Sequence, residues 1–367
     1  MPLRRLLLVP GQRLTGAAAP WLRRLIRTWR PAHGAIIHEG ELQYFGDLPA
    51  LLGPENVAVL SQTMDPRLFG PPEAECPYPS CHGAKLWHTV PPRHLPQILR
   101  QVDAVLISIT AGPIIQHVIT AARRHDIPIA LFDRPDHPEL YGDPARQRNT
   151  FREFRHGDDF DLYFKQELLP DCQTDYTRPL SPLPVRLESY TLTPAKKEFS
   201  VFFCGRPRYK DSQDDKKELL EKAQQNIPRS RVLLHTARDS FLTNAAYWHN
   251  LMASQIALSP SCKVWDSYRH CEIGLSETTA IVAPIPYTVT CGPPLQDGKN
   301  AILYRTRLGN NGKYHLDDPD IIDKIRWYLD NPQECERLAR VWHNDVLQGH
   351  TVTARGRYII EQIASLR

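Results

Sequence analysis

The sequence predicts an α/β protein made of two doubly wound, Rossmann-like domains that face a central cleft. Its 367 residues amount to about twice the length of a typical single domain. Each half of the chain alternates short, continuous apolar runs with helical stretches, as expected for a parallel sheet covered by helices on both faces. A proline-rich stretch separates the two series and is typical of an interdomain connection.

The first half of the chain starts this alternation within its first ten residues. The runs LLLV and AVLISI are wholly apolar apart from one serine, so we expect buried strands there. The predicted strands are residues 6–9, 35–38, 57–60, 104–109, 127–132 and 161–165, and the predicted helices are residues 17–29 and 113–125. Many prolines lie between residues 66 and 96 and predict a loop-rich segment.

Residues 179–197 predict an extended linker. The segment begins PLSPLPV and continues with threonine, proline and lysine, a composition that suits neither a helix nor a central strand. We therefore place a first domain at residues 1–185 and a second at residues 198–345, followed by a terminal segment at 346–367.

The second half repeats the strand and helix alternation. The predicted strands are residues 199–204, 232–235, 256–259 and 280–283, and the predicted helices are residues 214–226, 244–254, 268–277, 320–330, 333–346 and 353–365. Strands that each precede a helix in this way are typical of βαβ units and a parallel sheet.

The bulk properties argue against several classes of protein. A net charge of +4 and a pI near 8.6 are mild, whereas a nucleic-acid-binding domain has a pI above about 9 with clustered charge. A nucleic-acid partner is therefore not favoured. The apolar run at residues 6–9 is too short for a signal peptide, which needs about 7–15 apolar residues. No run approaches the ~18 residues of a membrane helix. We expect a cytoplasmic protein without a membrane span.

The cysteines predict neither disulfides nor a metal site. The chain has eight of them, scattered over its length, which favours reduced thiols. Cys76, Cys81, His82 and His88 lie close together in sequence, but their spacing matches no common structural zinc pattern. We expect no metal and no other cofactor.

The richest group of polar residues follows the predicted strand at 256–259. In parallel α/β sheets, ligands bind at the carboxyl ends of the strands. Hydroxyls, cations and the start of a helix together suit a diphosphate, and a carboxylate one turn later suits ribose hydroxyls. These candidates are Ser261, Lys263, Ser267, Arg269 and Glu272. The alternative is an ordinary helix cap at Asp266 or Ser267 with a surface pair between Arg269 and Glu272.

A second group follows the predicted strand at 199–204. Gly205 lets a ligand approach the backbone closely, and Arg206, Arg208 and Lys210 come directly after it. Arginine binds phosphate oxygens in a bidentate manner and lysine adds a point charge. The alternative is a solvated basic loop.

A third group, Asp133, Asp136 and His137, follows a strand of the first half and contains candidates for a general base. Ordinary turn chemistry explains the same residues equally well. The loop at residues 10–16 lacks both the lysine of a P-loop and the Gly-x-Gly-x-x-Gly pattern, and no Gly-x-Ser-x-Gly elbow occurs in the chain.

These motifs together resemble the GT-B glycosyltransferases, in particular the exostosin-like and spore-maturation-type bacterial branch. The resemblance rests on Ser259-Pro260, the helix start SYRHCE (267–272), the strand IVAP (281–284) and the segment DGKN (297–300). The stretch DLYFKQEL (161–168), followed by PLPVR and VFFCGRPR, resembles the crossover between domains in that branch.

The resemblance implies a hexosyl- or pentosyltransferase that moves a sugar from a nucleotide-diphosphate-sugar, its co-substrate, to an acceptor without a metal. Residues 1–185 would bind the acceptor, residues 198–345 the donor, and 346–367 would cross back onto the first domain. Arg206, Lys210 and Arg269 would hold the diphosphate, and Glu272 the ribose. The implied donor-binding set is Gly205, Arg206, Lys210, Ser261, Lys263, Ser267, Arg269 and Glu272.

The sequence departs from the branch at three places. The turn that is usually rich in glycine is Ser261-Cys262-Lys263, Glu277 stands where glycine is common, and Val264 stands where retaining members carry the first glutamate of a pair. The stereochemical outcome, the sugar and the acceptor therefore stay open, the acceptor being a glycan, a protein, a small molecule or a modified base. Two other functions suit the same fold, a nucleotide-sugar 2-epimerase and a catalytically silent nucleotide- or glycan-binding protein.

Overall fold

The computed structural model describes residues 3–9, 12–14, 35–37, 44–60, 88–90, 92–109, 111, 114–133, 154–185, 192–205, 214–234, 242–262 and 265–366. The chain forms two compact units. The first consists of Met1–Leu180 together with Val352–Arg367, and the second is Ser181–Thr351.

The first unit is built on a seven-stranded parallel sheet with the order β5-β4-β1-β6-β7-β8-β9. Its strands are β1 (Leu6–Val9), β4 (Val57–Leu60), β5 (His88–Val90), β6 (Ala104–Ser108), β7 (Ile129–Asp133), β8 (Leu162–Lys165) and β9 (Thr177–Pro179). A separate antiparallel pair joins β2 (Gln12–Leu14) to β3 (Ala35–Ile37). The helices of this unit are α1 (Leu48–Leu52), α2 (Leu95–Leu99), α3 (Ile114–Arg123) and α9 (Val352–Ala364).

The central strands of this sheet are apolar along their whole length because both faces of the sheet are covered. Every residue of β1, β6 and β7 is buried. Helix α3 covers part of the core with Ile115, Val118, Ile119 and Ala122, which share one face at helical spacing.

Helix α9 belongs to the first unit although it follows the second unit in sequence. It packs against α1, where a Cβ on Gly356 would lie 2.8 Å from Leu51 Cδ1. Thr353 Oγ1 donates a hydrogen bond to Asp47 Oδ2 at 2.5 Å, and the buried Arg355 donates to the carbonyl of Leu180.

The second unit is built on a five-stranded parallel sheet with the order β11-β10-β12-β13-β14. Its strands are β10 (Phe199–Gly205), β11 (Ser230–Leu234), β12 (Ser254–Leu258), β13 (Ala280–Pro284) and β14 (Ile302–Tyr304), and a hairpin joins β15 (Thr306–Leu308) to β16 (Tyr314–Leu316). The helices are α4 (Asp215–Asn226), α5 (Asn244–Met252), α6 (Tyr268–Leu275), α7 (Ile321–Asp330) and α8 (Pro332–Gly349).

The structure confirms the predicted class, with two parallel sheets and helices in the intervening sequence. Strands β1 and β4 have the predicted bounds, and the other predicted strands and helices within the described residues agree to within two residues at most ends. The sequence analysis did not predict β5, β9, β14 or the β15–β16 hairpin, which are only three residues long each. The predicted helix at 17–29 lies outside the described residues.

The start of the predicted linker is not an extended, solvated segment. Pro179 ends β9. The apolar residues that alternate with the prolines after it are buried, namely Leu180, Leu183 and Val185. Backbone hydrogen bonds anchor the segment to the second unit, with Leu183 N donating to Asp266 Oδ1 at 3.0 Å and Val185 N donating to the carbonyl of His350 at 2.9 Å. The chain passes from the first unit to the second at Leu180.

The first testable prediction concerns the contact between α6 and α8. A Cβ on Gly274 would lie 2.5 Å from Val346 Cγ2 and 2.9 Å from the Trp342 ring. Alanine favours a helix over glycine by about 1 kcal/mol, but overpacking of a core costs about 1–3 kcal/mol. We expect Gly274→Ala to lower the free energy of unfolding in a denaturant titration, and Val346→Ala in the same chain to recover part of the loss. Strict additivity of the two substitutions would contradict this packing.

Candidate functional site

Helix α6 begins directly at the carboxyl edge of the second sheet. Ser267 is its N-cap, with an extended backbone and a hydroxyl that accepts a hydrogen bond from Arg269 N at 3.3 Å. The loop before it follows β12 and contains the buried Ser259 and Ser261. The start of α6 therefore lies at the edge where parallel strands of α/β proteins bind ligands.

Arg269 reaches from α6 back to the end of β10. Its Nη2 donates to the carbonyl of Cys204 at 2.7 Å, and its guanidinium carbon lies 4.6 Å from the centre of the Phe203 ring. Its Nε is buried and has no hydrogen-bond partner among the residues that the structure describes. A Cβ on Gly205 would lie 3.0 Å from Arg269 Nη2, so glycine at this position leaves room for the guanidinium. Arginine carries five N–H donors, of which one on Nη2 of Arg269 is used by the Cys204 carbonyl.

Glu272 does not pair with Arg269 on the surface. Its Oε2 accepts a hydrogen bond from the hydroxyl of Tyr247 at 2.9 Å, and Tyr247 lies on α5. Burial raises the pKa of the Glu272 carboxyl, while the nearby Arg269 charge and the Tyr247 hydrogen bond act in the opposite direction. The carboxylate therefore keeps one oxygen for a second donor such as a sugar hydroxyl.

A buried acidic residue lies beside the same strand ends. Asp215 is the first residue of α4, and its Oδ2 accepts hydrogen bonds from the hydroxyl of Tyr304 at 2.7 Å and from Ser261 N at 3.4 Å. Burial raises the pKa of Asp215 to about 6, although these hydrogen bonds lower it. The next residue, Lys216, is also buried.

His270 holds the loop before α6 in place. Its Nε2 donates to the carbonyl of Trp265 at 3.0 Å, so its Nδ1 accepts from the hydroxyl of Ser259 at 2.8 Å. Trp342 Nε1 donates to the carbonyl of His270 at 2.8 Å. Burial lowers the pKa of His270 to about 4, so the ring is neutral and its tautomer is determined by these two partners.

The DGKN segment has a structural part in the second unit. Asp297 accepts a hydrogen bond from Leu303 N at 2.8 Å and forms a salt bridge with Lys324 at 2.5 Å. Asn300 donates to Asp345 Oδ2 at 2.7 Å. Gly298 has a φ of +67°, a left-handed backbone that glycine adopts without strain. These bonds shape the turn that leads into β14.

The structure brings five of the predicted donor-binding residues to one edge of the second sheet, Gly205, Ser261, Ser267, Arg269 and Glu272. Arg206, Lys210 and Lys263 lie outside the described residues, as does Arg208. The sequence analysis missed Asp215, Lys216 and Tyr247. A signal for Lys216 was present, because it shares the buried stripe of α4 with Leu219, Leu220 and Ala223 at the spacing i, i+3, i+4 and i+7.

The candidate general base Asp133 lies in a buried ion pair in the first unit. Its Oδ2 accepts hydrogen bonds from Lys165 Nζ at 3.0 Å and from the hydroxyl of Tyr163 at 2.5 Å, and both charged side chains are fully buried. Burial raises the pKa of Asp133, and the Lys165 charge opposes this. A general base needs hydrogen-bond reach to its substrate, whereas this carboxylate has no exposed surface and instead neutralises Lys165. Asp136 and His137 lie outside the described residues.

The second testable prediction concerns this ion pair. Asp133→Leu leaves the Lys165 ammonium buried without its counter-charge, which is expected to lower the free energy of unfolding by about 3–5 kcal/mol. Adding Lys165→Met removes the orphaned charge, and we expect denaturant titration to show that the double variant recovers most of the loss. A double variant as unstable as the single one would contradict the assigned role of the pair.

The third testable prediction concerns the protonation of His270. An ordinary histidine, with a pKa near 6.5, is mostly charged at pH 5.5. The pKa of His270 is lowered to about 4, so its native-state stabilisation is fully present above pH 6.5 and is lost as the pH falls toward 4. In ¹⁵N-histidine-labelled protein, we expect its imidazole shifts at pH 5.5 to be those of a neutral ring with the proton on Nε2. His270→Asn assigns the signal, and a charged ring at pH 5.5 would contradict the prediction.

Within the described residues, no group of three or more His, Cys, Asp or Glu side chains is arranged to hold a metal ion. Cys76, Cys81 and His82 lie outside those residues. Among the helices that the structure describes, none has both the length and the apolar character that crossing a bilayer requires.

Several solved structures have a fold similar to that of this chain. HepE of Anabaena in complex with UDP is similar over 98% of this chain and 100% of its own, with a TM-score of 0.52 and 10% sequence identity. Its complex with UDP-glucose gives a TM-score of 0.50 over 99% and 100% of the two chains. A glycosyltransferase from Rickettsia africae ESF-5 gives 0.50 at 9% identity over 99% and 98%. No family model and no curated protein matches the sequence.

The chain has the GT-B fold. At 9–10% identity the similarity concerns the fold, and it extends over nearly the whole of each chain. The architecture implied by the sequence resemblance is thereby confirmed, while the particular branch stays a prediction.

Proposed function

We propose that this protein is a glycosyltransferase that moves a sugar from a nucleotide-diphosphate-sugar to an acceptor. The observation that carries the proposal is the Arg269 guanidinium, which is fastened to the end of β10 through Cys204 and Phe203 and keeps its Nε buried without a partner. A cation held in this way at the carboxyl edge of a Rossmann-like sheet suits an anionic ligand. The GT-B fold, shared with HepE in complex with UDP and UDP-glucose, supports a nucleotide-sugar as that ligand.

The residues of the site suit separate parts of such a donor. Arg269 would bind the diphosphate together with Arg206 and Lys210, while the N-terminus of α6, with Ser267 and Ser261, adds hydrogen-bond donors. Glu272 would accept a hydrogen bond from the ribose with the carboxylate oxygen that Tyr247 leaves unused. We assign neutralisation of the diphosphate to these cations and Lys263, without a metal.

The first unit would bind the acceptor, and Asp136 or His137 would act as the base. We expect Asp133 to support this region from its ion pair with Lys165. We further propose that the protein belongs to the exostosin-like and spore-maturation-type branch, transfers a hexose or a pentose, and lies in the cytoplasm. These points rest on the sequence motifs.

A nucleotide-sugar 2-epimerase and a catalytically silent binding protein would use the same donor site. Analysis of the reaction products distinguishes both from a glycosyltransferase. An epimerase converts a nucleotide-sugar into its 2-epimer when no acceptor is present. A silent binding protein binds a nucleoside diphosphate and releases none from a nucleotide-sugar. A glycosyltransferase releases nucleoside diphosphate at a rate that rises when its acceptor is added.

The fourth testable prediction concerns the affinity for nucleoside diphosphates. A guanidinium–phosphate hydrogen bond contributes roughly 1.5–3 kcal/mol, so Arg269→Ala is expected to weaken binding by about 10- to 100-fold. Isothermal titration calorimetry with UDP, GDP and ADP, in buffer containing EDTA, measures this. Glu272→Gln should lose less affinity, and that loss should disappear when the ribose hydroxyls are absent from the ligand.

Arg326→Ala is the matched control, because Arg326 is an exposed arginine of the same unit that pairs with Asp323 on α7. It should bind like the wild type. Unchanged affinity of folded Arg269→Ala for the nucleoside diphosphate that the wild type binds best would contradict the placement of the donor.

A further inference from the structure

We propose that Lys216 is a second, buried cation of the donor site and binds the donor diphosphate together with Arg269. This inference rests on the proposed function and adds to the site a residue that the sequence motifs do not mark.

Lys216 is a buried cation on which the adjacent Asp215 carboxyl and the Cys262 thiol act electrostatically. Only 3% of its surface is exposed, and its Nζ lies 5.5 Å from the centre of the Phe203 ring. In the part of the chain that the structure describes, it forms no salt bridge and no side-chain hydrogen bond. Burial lowers the pKa of its ammonium group. Burying an unpaired charge is costly, so an anion that reaches this ammonium would be bound favourably.

Lys216 and Arg269 lie against the same aromatic ring. The guanidinium carbon of Arg269 is 4.6 Å from the centre of the Phe203 ring, and the two cations repel one another. Cys262, in the loop between β12 and α6, is close enough to interact electrostatically with both. Two like charges on one ring are stabilised by an anion placed beside them, and a diphosphate carries enough charge to satisfy both.

The two cations occupy equivalent places in the sheet. Lys216 is the second residue of α4, which follows β10, and Arg269 is the second residue of α6, which follows β12. Because β10 and β12 are parallel neighbours, the helices that follow them begin at the same edge of the sheet. The N-cap of α4, Asp214, makes no side-chain capping bond, whereas the backbone N–H of Lys216 is engaged by the Asp215 carboxylate.

The acidic residues in the first turn of α4 have other partners. Asp215 Oδ2 accepts hydrogen bonds from Tyr304 and Ser261, and Glu218 accepts from His315 Nδ1 at 3.0 Å and from Leu316 N at 2.7 Å. They form no salt bridge with Lys216. Within the described residues the Lys216 ammonium is thus outside any salt bridge, although Asp215 acts on its charge through space.

The test compares Lys216→Met with Lys217→Met. Methionine keeps the length of the buried stem and removes the charge, while Lys217 is the next residue of α4, exposed and paired with Glu221 at 3.7 Å. Calorimetry on the full chain measures binding of the best nucleoside diphosphate among UDP, GDP and ADP, of the matching nucleoside, and of inorganic pyrophosphate. We expect Lys216→Met to weaken nucleoside diphosphate and pyrophosphate binding by about tenfold or more and to leave the nucleoside unaffected. Lys217→Met should match the wild type.

Lys216→Arg separates charge from packing. It keeps the cation and is expected to retain more diphosphate affinity than Lys216→Met, and it also serves if the methionine variant does not fold. A purely structural lysine would behave differently, because its loss would lower the melting temperature of the ligand-free protein and weaken nucleoside and diphosphate binding alike. That pattern, or unchanged diphosphate affinity in Lys216→Met, would overturn the proposal.

The same titrations distinguish failure of this inference from failure of the proposed function. If Arg269→Ala loses diphosphate affinity and Lys216→Met does not, the donor site stands and the role of Lys216 is rejected. If the wild type binds pyrophosphate in a Lys216-dependent way but binds no nucleoside diphosphate, the anion site stands and the nucleotide-sugar function is rejected. A wild type that binds neither ligand rejects both.

Discussion

Parallel strands all end at the same edge of a sheet, and this constraint organises both units of the protein. Chain segments far apart in sequence arrive at that edge together, because each βα connection starts there. In the second unit it brings the end of β10, the loop after β12 and the starts of α4 and α6 to one place. Arg269, Lys216 and Phe203 meet there although more than 60 residues of sequence separate Phe203 from Arg269.

The two units treat buried charge in opposite ways. In the first unit, Asp133 and Lys165 neutralise one another at neighbouring strand ends, and Tyr163 adds a hydrogen bond. In the second unit, the buried Lys216 and the half-buried Arg269 lie beside an aromatic ring, and within the described residues neither forms a salt bridge to a carboxylate. A paired charge stabilises its surroundings only modestly, whereas an unpaired buried cation leaves binding free energy for a ligand. This difference supports the proposal that the second unit binds the donor.

The start of α6 is held in place by residues outside the proposed donor-binding set. His270 is kept neutral and joins Ser259 to Trp265, so the loop before α6 is fixed by hydrogen bonds from both of its ends. The close contact at Gly274 brings α8 against α6, and Trp342 of α8 donates to the carbonyl of His270. A preorganised helix start loses less entropy when it binds a ligand than a mobile loop does.

The sequence by itself determined the fold class and most strand and helix positions in the described residues. Continuous apolar runs and helical periodicity are patterns of neighbouring residues, so they can be recognised in the sequence alone. A strand that is buried on both faces of its sheet needs apolar residues at every position. Tertiary structure alone decided what individual polar residues do.

In the sequence, Asp133 suits a turn or a general base, yet it is buried with Lys165, because the neighbouring strands β7 and β8 end side by side. The PLSPLPV segment reads as a linker, yet Leu183 and Val185 are buried and bonded to the second unit. Lys216 lies on the apolar stripe of α4, which the sequence shows, but only the position of α4 on the sheet places it on Phe203 beside Arg269. Charge pairing depends on distances between segments that local sequence does not record.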